Sequence, residues 1–256
     1  MADLLKSTTN PFGGIIVLPE GLPLDPNRFR LELTDSVAAW KADGILAVWM
    51  EVPISLSQLI PVAVEAGFIF HHSAYDYLMM IHRIVPDAYL PPYATHYIGA
   101  GGVVLNEARE LLVVREKYGF RGRPPALKLP GGALLQGEDL VDALEREILE
   151  ETGIRTEFES LVCFRHQHQY RYGKSDIYFV CRLNPLSSEI VMQAEEIAEC
   201  RWLPVADFLA ADDIGTFNKS IVQAALDSPG ISPTPMGGFM NRQQGEFFMP
   251  KTPGKD

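Results

Sequence analysis

The sequence predicts an α/β protein built in two parts, and three observations carry that prediction. Apolar runs of strand length, such as ILAVWMEV (45–52) and DIYFVCRL (176–183), are interleaved with stretches of helical period. A proline-rich segment, PDAYLPPY (86–93), separates one group of elements from the next. Residues 131–154, GGALLQGEDLVDALEREILEETGI, read as a glycine-containing loop running into an amphipathic helix. The expected parts are a smaller α/β domain over 1–90, a second α/β domain over 95–227 and a Pro/Gly-rich tail over 228–256.

The first domain opens irregularly. Residues 28–33 (RFRLEL) alternate with period two and read as extended chain. Thr34 or Asp35 then caps a helix that runs to Ala42 and closes at Gly44. A buried strand follows at 45–52 and Pro53 ends it. A second helix opens at Ser55 or Ser57, carries Pro61 near its first turn and stops at Gly67. Strands are expected at 68–72 and 77–84. His71, His72 and His82 match no metal-ligand spacing, so hydrogen-bonded structural histidines are the reading. Trp40, Trp49, Met79 and Met80 read as core.

The second domain begins with a glycine-bearing strand, 97–105 (YIGAGGVVL), whose small residues let another backbone approach. A turn at 106–109 returns the chain into 111–115 as a hairpin partner. Residues 117–125 (KYGFRGRPP) form a basic loop. Its Arg121 and Arg123, with Arg115 and Lys128, are the candidate contacts for substrate phosphates. Beyond the helix, 157–167 and 176–183 read as strands with a turn at 172–174, and His166 and His168 share one face. Helices are expected at 205–209 and 218–226. The remainder reads as a mobile tail whose Phe239, Phe247 and Phe248 are available to dock on a partner.

The chemistry concentrates in residues 139–152. Leu140, Val141, Leu144 and Ile148 make one apolar stripe, and Gly153 stands where a helix wants a left-handed residue. Glu147, Glu150 and Glu151 crowd the last turn, where the helix dipole disfavours acids, and their spacing makes them repel one another. A solvated acidic face is the common explanation of a charge run. A cluster that holds divalent cations is the alternative, because hard cations take oxygen ligands and share them with substrate phosphates.

Composition bounds the rest. A chain of 256 residues with 47% hydrophobic content suffices for one or two cored domains. The net charge of −11 argues against broad electrostatic binding to nucleic acid or anionic membranes. No apolar run reaches membrane-spanning length, and residues 1–14 lack the basic-then-apolar pattern of a signal peptide. Cys163, Cys181 and Cys200 are few, odd in number and outside metal-ligand spacing, as expected of reduced thiols in a cytoplasmic protein.

From Gly132 the chain reads G-x5-E-x7-R-E-U-x-E-E-x-G-U, where U is a bulky aliphatic. Gly132, Glu138, Arg146, Glu147, Ile148, Glu150, Glu151, Gly153 and Ile154 fill every fixed position. This resembles the Nudix box without a departure. The segments DGILAVWMEVP, PVAVEAGFIFHH, KLPGG and CRWLP extend the resemblance over roughly residues 35–210. They are similar to the Nudix branch with an N-terminal leader, which includes the GFG (antisense basic fibroblast growth factor) protein and plant ADP-ribose/NADH pyrophosphatases.

The resemblance implies a Nudix α/β/α sandwich with a mixed sheet, preceded by a smaller acetyltransferase-like α/β domain. It implies hydrolysis of the pyrophosphate bond in a nucleoside diphosphate derivative, ADP-ribose or NADH first, dependent on Mg²⁺ or Mn²⁺, with release of AMP. Glu150 and Glu151 are implied as the main metal ligands, with the Gly131 carbonyl completing the shell. Glu147 is a ligand or the general base. Arg146 orients Glu147, and Glu138 neutralises charge or orders water beside the metal. An additional downstream glutamate in the family points to Glu196. The expected partner is a small nucleotide, without nucleic acid or membrane, and the branch implies a homodimer.

Other readings stay open. Tyr170 and Tyr172 lie 16 and 18 residues beyond the box, the placement found in diadenosine polyphosphate hydrolases. Coenzyme A derivatives are a further substrate class. A nucleotide-binding regulatory protein would be expected to have lost box carboxylates. An acetyltransferase leader would need a glycine-rich basic loop, which PISLSQLIP does not offer.

Overall fold

A computed structural model of the chain describes residues 3–119, 125–235 and 245–250. It comprises two compact units, Met1–Thr95 and His96–Asp256.

The first unit is a five-stranded mixed sheet in the order β1-β2-β3-β5-β4. Its strands are β1 (Ser7–Thr9), β2 (Ile15–Val17), β3 (Ala47–Pro53), β4 (Ile69–Ser73) and β5 (Tyr77–Arg83). Only β2 and β3 run parallel. The parallel step is bridged by the helix α1 (Pro26–Ala42), and α2 (Ile60–Glu65) leads into β4. Alternation along β3 divides its side chains between two faces. Val48, Met50 and Val52 join Phe29, Leu33 and Trp40 in the main core, while Ala47 and Trp49 pack with Ile81 and Ala88 on the other face.

Two expectations fail in this unit. Residues 28–33 are helical, because α1 starts at Pro26. The Asp25 carboxylate caps it, accepting from Asn27 N–H at 3.2 Å and Arg28 N–H at 3.3 Å, with proline at N1. Phe29, Leu33 and Trp40 recur at spacings that suit one helical face, and Arg28 pairs with Glu32 one turn on at 2.6 Å. Alternation over six residues was too short to tell two periods apart. The expected helix at 55–67 is split into a 3₁₀ segment, Ile54–Leu59, and the short α2, with Leu56 departing from helical geometry and Pro61 in the first turn of α2.

The histidines here are hydrogen-bonded. The His71 and His72 rings meet Nδ1 to Nδ1 at 2.7 Å, His71 Nε2 lies 2.9 Å from the Pro91 carbonyl, and His82 Nδ1 lies 3.0 Å from that of Gly67.

The second unit holds β6 (His96–Val104), β7 (Glu110–Glu116), α3 (Leu140–Thr152), β8 (Thr156–Gln167), β9 (Ser175–Pro185), β10 (Ile197–Pro204), α4 (Val205–Ala210), α5 (Thr216–Asp227), β11 (Ser232–Pro233) and β12 (Phe248–Met249). Strand β9 lies at the centre of a mixed sheet, parallel to β6 and antiparallel to β8. Strand β7 pairs antiparallel with β10 over most of its length and meets the end of β6 in one bridge, Leu105–Leu111. The expected β6–β7 hairpin is therefore not a two-stranded ladder. The turn forms, with Asn106 bonding Glu110, but the chain leaves β6 there for the second strand pair.

Neighbouring residues on these strands point into two different cores. Val103, Leu111, Val113 and Val180 pack with Phe208, Ile221 and Val222 of α4 and α5. Val104, Leu112, Cys181 and Leu183 pack with Leu140, Leu144 and Ile148 of α3. Sheet between two helical layers is the α/β/α arrangement, and each buried Leu or Phe contributes roughly 1.5–3 kcal/mol relative to exposure.

The described residues beyond 227 are paired and packed. Ile231 exchanges backbone hydrogen bonds with Leu161 of β8, β11 pairs with β12, and the Phe248 ring meets Phe158 with centroids 5.9 Å apart. Phe248 thus packs on its own unit. Phe239 lies outside the described residues.

Candidate active site

The site is assembled on the loop before α3 and on the polar edge of that helix. Backbone hydrogen bonds make the loop an extra partner of β6. Ala100 N–H donates to the Gly132 carbonyl, Gly102 N–H to Pro130 and Leu134 N–H to Ile98, each within 3.0 Å. Gly131 sits at φ +139°, and a β-carbon there would lie 2.2 Å from the Ala100 carbonyl oxygen. A β-carbon on Gly132 would fall 2.5 Å from the Glu147 carboxylate. Gly131 is therefore required by its close approach to backbone, whereas a side chain at Gly132 would displace the Glu147 carboxylate.

Arg146 organises the acids around it. Its Nε and Nη2 fork onto the Glu138 carboxylate at 2.6 and 3.0 Å, and its Nη1 reaches Glu147 at 2.9 Å and Glu150 at 3.2 Å. Planar guanidinium geometry permits this three-way contact where an ammonium would not. The bonds to Glu138 hold Arg146 firmly protonated. The same bonds, with the Leu135 N–H, hold the Glu138 carboxyl below the usual carboxylate range. Arg146 thus offsets the charge of two of the three acids on the last helical turn, Glu147 and Glu150, and leaves Glu151 to other partners.

Glu151 faces inward. Its carboxylate accepts from the Gly131 N–H at 2.8 Å and is almost completely buried. Burial pushes its carboxyl up to about 7, against the pull of Lys128 and of the Gly131 bond, and Glu147 and Glu116 add to the rise. Lys128 Nζ lies 3.9 Å from Glu151 and 2.5 Å from Glu116, whose strand is bridged to Lys128 at Val114.

Glu116 is a site residue that the sequence did not disclose. An acid at the end of a strand carries no signature until the pairing that brings it to Lys128 is known. Tyr178 is another. Its hydroxyl occupies the place a Gly101 side chain would take, burial drives its ionisation upward, and it lies near enough to Glu151 to feel its charge.

The other expected residues fall elsewhere. Arg115 is committed within the protein, donating to Glu199 at 2.9 Å and to the Pro125 carbonyl at 2.9 Å. Arg115 and then Arg201 hold Glu199 below the usual carboxylate range. Glu196 is exposed on the turn before β10. Its carbonyl accepts from Lys117 N–H, and its carboxylate forms no ion pair among the described residues. Arg121 and Arg123 lie outside the described residues. His166 meets His96 with ring nitrogens 2.9 Å apart, and His168 Nδ1 lies 3.0 Å from the Ser175 hydroxyl.

The donor chemistry fits a hard divalent cation. All the candidate ligands, Glu147, Glu150, Glu151 and the Gly131 carbonyl, offer oxygen. Glu151 is the discriminating observation. A carboxylate buried this deeply with one N–H donor and a distant ammonium is short of countercharge, which a dication supplies. Among the described residues no three acidic, histidine or cysteine side chains already converge as a closed cage, because Glu147 and Glu150 turn toward Arg146.

Known proteins resemble this chain over both of its units. The Nudix hydrolase domain model matches residues 5–84 and the NUDIX domain model matches residues 95–225. Nudix hydrolase 2 of Arabidopsis thaliana is 41% identical over 208 residues, covering 80% of this chain and 74% of its own. Nudix hydrolase 8 of the same plant is 38% identical over 208 residues, and this chain spans 56% of its length. Human nucleoside diphosphate-linked moiety X motif 6 is 35% identical over 231 residues, covering 87% of this chain and 72% of its own. With its complete box, its α/β/α unit and relatives aligned over most of its length, the chain belongs to the Nudix hydrolase family.

Proposed function

We propose that this chain hydrolyses the pyrophosphate bond of a nucleoside diphosphate derivative, ADP-ribose or NADH first, releasing AMP with Mg²⁺ or Mn²⁺ as cofactor. The observation that carries the reading is the Arg146 fork, which holds Glu138, Glu147 and Glu150 beside the buried Glu151. Glu150 and Glu151 are the main ligands, and Glu147 either joins them or takes the proton of the attacking water. When bound, the dication lowers the pKa of that water and offsets charge on the phosphate oxygens. Arg146 fixes the aim of Glu147, and Glu138 keeps Arg146 in place. Lys128 supplies standing positive charge beside Glu151. Arg121 and Arg123 stay assigned to the phosphates, together with Lys128. Arg115 is kept only as a residue that would exchange its Glu199 partner on binding. Glu196 is the supplementary downstream acid, its carboxylate without an ion pair among the described residues.

The choice of ADP-ribose and NADH rests on the plant branch that the sequence resembles. We further infer a homodimer and a cytoplasmic setting, the latter from three free thiols. The test is product analysis on ADP-ribose, NADH, diadenosine polyphosphates and coenzyme A with Mg²⁺ or Mn²⁺, beside Glu150→Gln. AMP from wild type alone supports the reading, and the order of rates names the substrate. Turnover that survives chelation, or that Glu150→Gln leaves intact, sinks it. Sedimentation at several concentrations decides the dimer.

A further inference from the structure

The N-terminus of α3 is capped from outside the box. Asp139 holds the cap position, yet its side chain makes no capping hydrogen bond. The first intrahelical bond runs from Ala143 N–H to the Asp139 carbonyl, which leaves the preceding amides to find other acceptors. Glu246 provides one, its carboxylate accepting from Leu140 N–H at 2.6 Å, and the nearby Val141 N–H also favours its ionised form. It is placed there despite its own partial burial and the nearby charges of Asp139 and Asp142, both of which oppose its ionisation.

The segment that delivers Glu246 is itself anchored. Thr234 N–H donates to the Phe247 carbonyl at 2.7 Å, β12 pairs with β11, and Phe248 packs in the same core as Leu140, Leu144 and Ile148. A second tie acts lower on the helix, where Glu145 accepts from Phe158 N–H at 2.9 Å. Phe158 also meets Phe248. Helix α3 is thus held at its first turn by residue 246 and near its middle by β8.

We infer that Glu246 is a positioning residue for the reaction, acting through α3 on Glu147, Glu150 and Glu151. This inference rests on the function proposed above. A helix moves nearly as a rigid rod over its 13 residues. A shift allowed at its first turn is therefore carried to the carboxylates at its last, and misplacement on the order of 1 Å is enough to cost catalysis heavily.

The experiment compares Glu246→Ala and Glu246→Gln in the full chain. Amide exchange at Leu140 and Val141, Mn²⁺ affinity from free-ion spin resonance, and kcat with KM are measured well below Tm. For Glu246→Ala the expected result is roughly five- to tenfold faster exchange at those two amides. Mn²⁺ affinity should weaken several-fold and kcat fall while the nucleotide KM holds. Glu246→Gln, whose amide oxygen still accepts, should recover most of each loss. Unchanged exchange in Glu246→Ala overturns the inference, as does a lowered Tm with Mn²⁺ affinity intact. Exchange and Mn²⁺ binding need no turnover. A wild type that binds Mn²⁺ yet hydrolyses nothing would therefore overturn the proposed function and leave the Glu246 test readable.

Discussion

Gly131 donates its backbone N–H to the carboxylate of Glu151 across 2.8 Å, joining the loop to the last turn of the helix that follows it. The bond is short, buried and the only hydrogen bond to that carboxylate among the described residues. It fixes where the carboxylate points.

Gly131→Ala should be severe. The added carbon meets the Ala100 carbonyl oxygen at 2.2 Å, and φ +139° is a region alanine rarely enters. We expect a loss of about 3 kcal/mol or more in urea unfolding. Gly137→Ala is the matched control. Its φ is +79° with nothing within 4 Å, so only about 1–2 kcal/mol of backbone strain is expected.

Glu151 sets a pH dependence in the metal-free protein. Its carboxyl stands near 7 when folded and 4.5 as the unperturbed reference, so the folded state holds the proton more tightly. The resulting stability is complete below pH 4.5 and is lost as pH rises through 7. Between pH 5 and pH 8 in chelator, wild type should lose up to roughly 3 kcal/mol that Glu151→Gln does not lose. Unfolding midpoints across that range check it, and parallel slopes for the two proteins refute it.

Arg146→Lys should behave as a broken hinge pin. Lysine keeps the charge but cannot span Glu138, Glu147 and Glu150 together. We expect kcat to fall roughly 10- to 100-fold, the scale on which ligand-orienting residues act. Stability should change much less, and steady-state kinetics beside a thermal melt separates the two.

Asp25→Ala tests the first unit. If Asp25 caps α1 as its two N–H contacts indicate, the substitution should cost about 1 kcal/mol, and Asp25→Asn much less. Equal losses from Asp25→Ala and Thr34→Ala would instead favour a helix starting later.

The parts that were legible in the sequence are those whose signal is local. Leu140, Leu144 and Ile148 announce their helix by spacing, and Gly153, at φ +73°, ends it as a glycine there should. The acids of the last turn were visible as an anomaly against the helix dipole. What was hidden depends on partners far along the chain. Arg115 reads as a phosphate contact in the sequence, and only the strand register reveals that it is paired with Glu199 in the fold. Glu116 gains meaning only beside Lys128, and Glu246 only beside Leu140. Residues 28–33 misled for another reason. Phe29 and Leu33 are four apart, a spacing that serves either a strand face or a helix stripe, and the deciding Asp25-Pro26 pair lay just upstream.

The bonding of the loop at 130–134 to β6 has a consequence for motion. Loops usually exchange their amides and drift with temperature, yet this one is stitched along Ile98, Ala100 and Gly102 like a short outer strand. Its backbone should breathe only when the whole unit opens. The turnover cycle then has a stationary wall made of main chain, against which side chains and substrate do the moving.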